Sequence, residues 1–276
     1  GYIGGDLPSA DMNSLFGLYD NSETQLKAMD AAKADMAKEI DKHNGVIISY
    51  AYYPDFYIYS KKPLTKVADF KGLKIRAHPP ALADLAAGLG AQGQWFAFAE
   101  MYAALERGVM EAAITVTDAG YGQRWYEVTK YLYGPIIGYP QTWVTMNKDV
   151  WKGLPPDVQA ILLEEGQWRE QEARRNTIRD AEKNLKLNTD AGMKYSDFSP
   201  EVKAVLKDTA INVILPNWVK RAGGPDSEGA KIFNAKVAPV LGVQVNPDGT
   251  ASYLGKAPVA VAKAAPAAVA APPAGL

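Results

Sequence analysis

The feature that most constrains the fold is a long helix-forming stretch that runs from Pro156 to about Asn188. Proline in the first turn, with Asp157 beside it, suits a helix start. Beyond Trp168 the stretch becomes heavily charged. A long helix with such a polar surface is typical of an element that lies across a surface or bridges two lobes. We therefore predict one helix that connects two parts of the molecule.

Short apolar segments alternate with helical patterns along the rest of the chain. Ser22 is a candidate N-cap for a helix that ends near His43, and Asn44-Gly45 would terminate it. The alternation predicts an α/β fold. The predicted strands are 46–50, 73–77, 94–98, 109–116 and 142–146; the further predicted helices are 81–89, 100–107, 125–131, 200–221 and 226–235; and 134–140 is a predicted loop. Alanine and proline dominate residues 256–276, which predicts a disordered tail.

Composition excludes several classes of function. The 276 residues include 30 basic and 31 acidic side chains, so a net charge of −1 gives no reason to expect nucleic acid or an anionic membrane as a partner. The chain has no cysteine, which excludes disulfides, thiolate catalysis and cysteine-ligated zinc. His43 and His78 have no ligand-spaced partner, and we expect each to be a capping or surface histidine. No metal or cofactor is expected.

Motifs that would indicate catalysis lack the neighbouring structural elements that they require. Residues 88–93 match the dinucleotide pattern G-x-G-x-x-G, but a helix precedes them and a strand follows, which is the reverse of the required order. The spacing indicates a helix end with a turn instead. Glu164 and Glu165 lie on the charged helix, where a solvated face is the simpler interpretation than a pair of carboxylates across a cleft. No catalytic residue is predicted.

Residues 50–59 carry six aromatic side chains, among them Tyr53 and Phe56. One interpretation is a strand that packs on the core. The other is the wall of a ligand pocket, since such pockets are mostly apolar with a few polar groups. The residues alone leave both open.

A series of motifs in fixed order carries a family resemblance. The segments are DFKGLKIR at 69–76, LGA at 89–91, FAEMYAALERGVME at 98–111, WYEVTKYL at 125–132 and WKGLP at 151–155. This series resembles the DctP family, the extracytoplasmic solute-binding proteins of tripartite ATP-independent periplasmic (TRAP) transporters. The resemblance covers about residues 5–250.

The resemblance implies a fold like that of periplasmic binding proteins, with two lobes, a hinge and a long bridging helix. Lobe I would comprise residues 1–52 and 141–180, and lobe II residues 53–140 and 181–255. Family members carry a further strand–helix–strand segment ahead of the part that matches Leu7-Pro8. We therefore expect an N-terminally incomplete copy whose lobe I exposes apolar surface.

The resemblance also implies a site. Arg76 corresponds to the arginine that forms a bidentate salt bridge with a substrate carboxylate, for which a guanidinium has the matching geometry. Phe98 corresponds to a pocket-lining position, and Thr115 stands where relatives carry an asparagine. Sialic-acid binders have a second arginine near Phe56 and an asparagine at the position of Pro79.

These departures argue against a heavily hydroxylated sugar acid and favour a monocarboxylate with an apolar or aromatic body. Further candidates by placement are Tyr53, Phe56, Tyr139, Gln141 and Trp143.

The implied function is that of a periplasmic, non-enzymatic and monomeric binding protein, which delivers an organic carboxylate to the TRAP membrane permease subunits. One alternative is a ligand-sensing domain of a receptor. Another is an enzyme on the same fold, with Arg76 as the substrate clamp. Its possible bases are Glu100, Glu111, Asp118 and His78.

Overall fold

The computed structural model describes residues 7–138 and 141–254, with the side chain of Ile178 left aside. The helices are α1 (Ser22–Lys42), α2 (Pro80–Gly88), α3 (Met101–Glu106), α4 (Thr117–Gly122), α5 (Lys148–Lys152), α6 (Pro156–Asp190), α7 (Pro200–Thr209), α8 (Leu215–Arg221), α9 (Glu228–Ile232) and α10 (Ala238–Leu241). The strands are β1 (Gly45–Tyr52), β2 (Phe56–Ser60), β3 (Lys74–Arg76), β4 (Gln92–Gln94), β5 (Ala112–Val116), β6 (Tyr131–Ile136), β7 (Gln141–Asn147), β8 (Lys194–Ser196), β9 (Val243–Val245) and β10 (Ala251–Tyr253).

The largest sheet in the described chain has six strands in the order β4-β3-β5-β2-β6-β8. Strand β3 runs parallel to β4 and β5, whereas β2 is antiparallel to β5 and β6. The carboxyl ends of β3, β4, β5 and β6 therefore meet the amino end of β2 at one edge of the sheet. The mixed α/β architecture that the sequence predicts is confirmed.

A second, two-stranded sheet pairs β1 with β7 in antiparallel register, from Gly45 opposite Asn147 to Tyr52 opposite Gln141. The chain passes between these two sheets twice, through residues 53–55 and, after β6, through the described residues 137–138. We call these two stretches the crossing segments.

Helix α6 joins the two sheets. Near its start Gly166 lies against β1, where the Ser49 hydroxyl donates to the Gly166 carbonyl at 2.7 Å. Near its end the Asn188 amide donates to the carbonyl of Thr117, just beyond β5, at 3.1 Å. The 22 residues between these contacts span about 33 Å at the helical rise. The predicted bridging helix is thus confirmed, and it runs two residues beyond the predicted end.

The main hydrophobic core covers one face of the six-stranded sheet. It joins Ile58 and Ile75 of the sheet to Met29 of α1, Trp218 of α8 and Phe233 near α9. A smaller core, which includes Tyr59, Met101, Ala113 and Trp125, covers the other face. The N-terminal helix and the C-terminal helices therefore share one core, and the proposed lobe boundaries stay a prediction.

Three local expectations are wrong. The N-cap of α1 is Asn21, whose side chain accepts from the Thr24 amide, and not Ser22. The strand expected at 94–98 ends at Gln94. The helix expected over 125–131 is a single 3₁₀ turn, Trp125–Glu127.

The prediction of a loop at 134–140 is also wrong at its start, because β6 continues to Ile136. Gly134-Pro135 indicates a break, but these residues lie where the pairing with β2 shifts register. A proline is tolerated at such an irregularity because no ladder hydrogen bond is lost there. A Cβ at Gly134 would lie 2.6 Å from the Tyr57 ring, so the glycine allows the close approach of the two strands.

Large apolar side chains are exposed around the two-stranded sheet. They lie on β7, on α5 and on the first half of α6: Val144, Val150, Val158, Ile161, Leu163 and Trp168. The exposed apolar surface expected for this part of the chain is present, and the expectation of a missing N-terminal segment stays a prediction.

Candidate ligand-binding site

The sheet edge brings several predicted residues to one face. Arg76 pairs with Ala113, and Thr115 pairs with Tyr57, so these side chains share a face. Ala113 and Tyr57 belong to the smaller core, which identifies that face. Strand alternation places Ile75 and Ile114 on the opposite face, and both lie in the main core.

Arg76 lies almost fully buried at this edge, with 7% of its surface exposed. Its Nε donates to the carbonyl of Phe96 at 3.4 Å, and its Nη1 donates to the carbonyl of Ile114 at 3.2 Å. A buried charge is costly unless polar groups compensate it, and these carbonyls supply part of that compensation. They also fix the orientation of the guanidinium plane.

An aromatic cluster lies beside Arg76. Its guanidinium carbon is 5.6 Å from the centroid of the Phe98 ring. Phe98 contacts Trp125 at a centroid distance of 5.3 Å, and Trp125 meets the edge of Tyr59 at 5.5 Å. The half-buried Phe98 therefore presents an apolar wall next to the cation, as its predicted role requires.

A buried hydrogen-bond network fixes the end of β5 next to Thr115. The Tyr59 hydroxyl lies 2.9 Å from Asn188 Oδ1 and 3.2 Å from the Thr117 carbonyl. Asn188 is fully buried although it lies in the charged helix α6. The sequence indicates Tyr57 and Tyr59 only as members of the aromatic segment 50–59, and strand alternation within 56–60 could have placed both on one face. Sequence reasoning missed Asn188.

The crossing segments lie next to this edge. Tyr53 is exposed there, at 48%. Tyr139, another candidate, lies outside the described residues. Asp55 accepts hydrogen bonds from the Gly138 amide and the Ser22 side chain, which links both crossing segments to the start of α1. Burial raises the pKa of Asp55 to about 6, against the lowering effect of these two hydrogen bonds.

Gln141 takes part in a different network, which anchors the crossing strands. Its side chain donates to the Tyr52 hydroxyl at 3.2 Å. That hydroxyl also lies 2.9 Å from Glu170 Oε1 and 3.0 Å from Arg174 Nε, both on α6. Arg174 in turn pairs with Asp30 of α1. The buried Gln141 thus connects β7, β1, α6 and α1.

Hydrogen bonds and ion pairs together favour the charged forms of Glu170 and Arg174 in this network. Hydrogen bonding to Asp30, its largest influence, raises the pKa of Arg174. Burial alone would raise the pKa of Glu170, but hydrogen bonds from Lys33 and Tyr52 lower it overall. Both side chains are therefore charged at neutral pH.

Two predicted residues lie away from the Arg76 face. The Phe56 ring contacts Phe16 at a centroid distance of 4.9 Å on the main-core side. Trp143 packs against the main core and against a small cluster formed by Leu7, Ala10 and Ile40. The structure thus brings Arg76, Phe98 and Thr115 together, and it adds Tyr57 to them. Whether these residues bind a ligand stays a prediction.

A cavity of about 440 Å³ opens elsewhere on the molecule. It lies at the end of β6, three strands or about 14 Å from β3. Its apolar lining includes Ile136, Phe198 and Leu206. Its two lysines are already paired, Lys203 with Asp197 and Lys207 with Asp20. It is therefore a separate feature from the Arg76 face.

The described part of the chain offers neither a metal-binding cluster nor a helix suited to a bilayer. It contains no group of three or more histidine, aspartate or glutamate side chains that could hold a metal ion. None of its helices combines the length and the apolar character that a bilayer span requires.

Comparison with known proteins decides the family. The model of the DctP family, described as bacterial extracellular solute-binding protein, family 7, matches residues 14–219. The chain belongs to this family. It is a family of extracellular solute-binding receptors and not of enzymes, and the two matched relatives named DctP are periplasmic, which places the chain outside the cytoplasm.

Individual relatives agree. The C4-dicarboxylate-binding periplasmic protein DctP of Rhodobacter capsulatus is 31% identical over 177 residues, which is 63% of this chain and 53% of the relative. The chain thus spans about half the length of this curated relative.

Two solved structures are also similar. The Bordetella pertussis receptor DctP7, which binds pyroglutamic acid, has a TM-score of 0.77 at 25% identity, covering 85% of this chain and 76% of that one. A pyroglutamate-specific TRAP solute-binding protein from a marine metagenome has a TM-score of 0.75 at 26% identity, covering 84% and 75%.

Proposed function

We propose that this protein is the solute receptor of a TRAP transporter, and that it captures a small organic carboxylate at the Arg76 face. Family membership supports the receptor role. The observation that carries the proposal is the buried Arg76 guanidinium, held by two backbone carbonyls beside an aromatic wall.

A carboxylate suits this arrangement because a guanidinium presents its N–H groups in the spacing of the two carboxylate oxygens. The attraction is strong at a buried site, where water does not screen it. Lysine would offer the charge without the planar fork. The Arg76 side chain is thus the specific element of the proposed site.

We infer that the ligand is a monocarboxylate with an apolar or aromatic body. The site offers one guanidinium beside the Phe98 ring, and the neighbouring side chains of Thr115 and Tyr57 carry no charge. This set suits a ligand that has one carboxylate and an otherwise apolar body. Pyroglutamate, which two similar receptors bind, is a small monocarboxylate.

We further propose that two lobes, with the boundaries given above, close on the ligand about the crossing segments. Helix α6, anchored to both sheets, would act as the connecting element. Hinge closure around a buried ligand is a common design in binding proteins. The closed, monomeric receptor would then dock on the membrane permease subunits.

Binding measurements test this proposal directly. Calorimetric titration with pyroglutamate, phenylacetate, malonate and galacturonate compares monocarboxylates with a dicarboxylate and a sugar acid. We expect at least one monocarboxylate to bind more tightly than malonate or galacturonate. In the Arg76→Ala variant that affinity should fall at least 30-fold, because truncation of a buried charged partner costs about 2 kcal/mol or more.

Two variants serve as controls. Arg76→Lys keeps the charge and should retain an intermediate affinity, while circular dichroism verifies that each variant is folded. Arg169→Ala removes an exposed arginine of α6 and should bind like the wild type. Equal affinity of the wild type and Arg76→Ala for every carboxylate would refute the proposal.

A further inference from the structure

His78 lies two residues beyond Arg76, where β3 leaves the sheet. Ile75 and Ala77 both point into the main core. Strand β3 ends at Arg76, but the Ala77 amide still donates to the Gln94 carbonyl at 3.0 Å, so the extended backbone continues. Alternation then places Arg76 and His78 on the opposite face, the face that carries Thr115 and Phe98. The sequence indicates a capping or surface histidine here, but the side chain is half-buried at the candidate site.

The second histidine provides a contrast. His43 is exposed at the end of α1, where its backbone amide closes the helix. It therefore matches the expectation of a capping histidine. His78 alone combines partial burial with a position beside the buried cation.

The surroundings keep the His78 imidazole neutral at neutral pH. Burial lowers its pKa, and the positive charge of Arg76 lowers it further. Among the described residues Arg76 is the charged side chain that acts on it. A neutral imidazole has one nitrogen that donates and one that accepts a hydrogen bond.

We propose that His78 determines specificity: one nitrogen of its neutral imidazole binds a neutral N–H or O–H group on the carbon next to the ligand carboxylate that Arg76 holds. This inference rests on the proposed function, and it names the substrate class of the same site.

Spacing supports this assignment. In extended backbone such as 76–78, residues i and i+2 are separated by about 6.6 Å, with side chains on one face. A carboxylate in contact with the Arg76 guanidinium can therefore have its neighbouring carbon on the side of His78. An amide N–H or a hydroxyl at that carbon is within reach of the imidazole.

Charge restricts the donor further. The Arg76 cation that disfavours a protonated His78 also disfavours a ligand ammonium at the same place. The site therefore selects a carboxylate with a neutral amide or hydroxyl donor over an α-amino acid. A ligand without a donor forms no such hydrogen bond with the imidazole, so its binding lacks that contribution.

Matched probes test the inference. Pyroglutamate carries an amide N–H next to its carboxylate, cyclopentanecarboxylate has a similar ring with no donor, and proline has an ammonium at the same position. Mandelate and phenylacetate form a second pair, with and without an α-hydroxyl. We expect the wild type to prefer the donor-bearing member of at least one pair by about 5- to 100-fold, and to bind proline weakly.

Variants assign that preference to His78. His78→Ala should reduce it to within about threefold by loss of affinity for the donor-bearing probe alone. His78→Asn, which keeps an acceptor, should restore part of it, and His43→Ala should leave it unchanged. A preference that survives in His78→Ala, or that the wild type lacks in both pairs, overturns the inference.

The same experiment separates this inference from the proposed function. If carboxylates bind through Arg76 but His78→Ala has no effect on discrimination, only the role of His78 is wrong. If no carboxylate binds, or if binding is the same in Arg76→Ala, the proposed function fails, and this inference fails with it.

Discussion

At the scale of single residues, Asp55 shows how the crossing segments are held. Its carboxylate accepts from Gly138 of the other segment and from Ser22 at the start of α1. One of its oxygens, Oδ1, is buried with no hydrogen-bond partner among the described residues. A buried, incompletely bonded carboxylate is costly in its ionised form. The contact between the two crossing segments and α1 is therefore weaker when Asp55 is charged.

This cost makes stability depend on pH. The pKa of Asp55 is about 6 in the folded chain, against about 3.9 when unfolded, so the folded state binds the proton more tightly. Asp55 is protonated in both states below about pH 4 and costs nothing there. The free energy of unfolding falls as the pH rises from about 4 to 6, because Asp55 ionises in the unfolded chain before it ionises in the folded one.

Asp55→Asn removes this titration. The variant should be more stable than the wild type above pH 6 by roughly 1–3 kcal/mol, and the difference should vanish near pH 4. Urea unfolding of both proteins between pH 4 and 8 measures it. Asp180→Asn, on an exposed carboxylate of α6, is the control and should show no such change. A difference that stays constant with pH would contradict this account.

Single residues also mark the limit of prediction from the sequence. Arg76 alone resembles any charged residue of an exposed strand, and only the surrounding motifs of the family distinguish it. Strand alternation could have placed Tyr57 beside Thr115. The half-buried position of His78 depends on how three strands end together, and residue spacing does not encode this arrangement.

At the scale of elements, α6 is positioned by close backbone contact. A Cβ on Gly166 would lie 2.2 Å from the carbonyl oxygen of Ile48 in β1. Only glycine allows the helix to approach the strand so closely. The charged pattern predicts the helix and its length, but it carries no signal for this contact or for the buried Asn188.

Substitution of Gly166 tests the contact. Glycine to alanine within a helix normally stabilises by about 0.5–1 kcal/mol. Gly166→Ala should instead destabilise the protein by more than 1 kcal/mol, since the obstructing atom belongs to the backbone of β1. Thermal and urea unfolding measure the change.

Gly122→Ala in α4 is the matched control, because no atom lies within 4 Å of its added Cβ. We expect this variant to be neutral or slightly stabilised. If Gly166→Ala is as stable as Gly122→Ala, α6 does not depend on this approach to β1.

At the scale of the whole molecule, the six-stranded sheet and the β1–β7 sheet are joined by two crossing segments and one long helix. The sequence predicts the α/β class and the bridging helix. It does not predict that α1 and the C-terminal helices share a core with the six-stranded sheet, because such long-range packing has no local signal. The proposed closure depends on this assembly, since movement would concentrate in the segments around Asp55 and Gly138.

The most direct test of the account is a crystal structure of the protein with a carboxylate that stabilises it. We predict that the carboxylate oxygens lie about 2.7–2.9 Å from the Arg76 guanidinium nitrogens, with the body of the ligand against Phe98. A ligand seated in the separate 440 Å³ cavity beside Phe198 and Lys207, or at any position without contact to Arg76, would contradict the account.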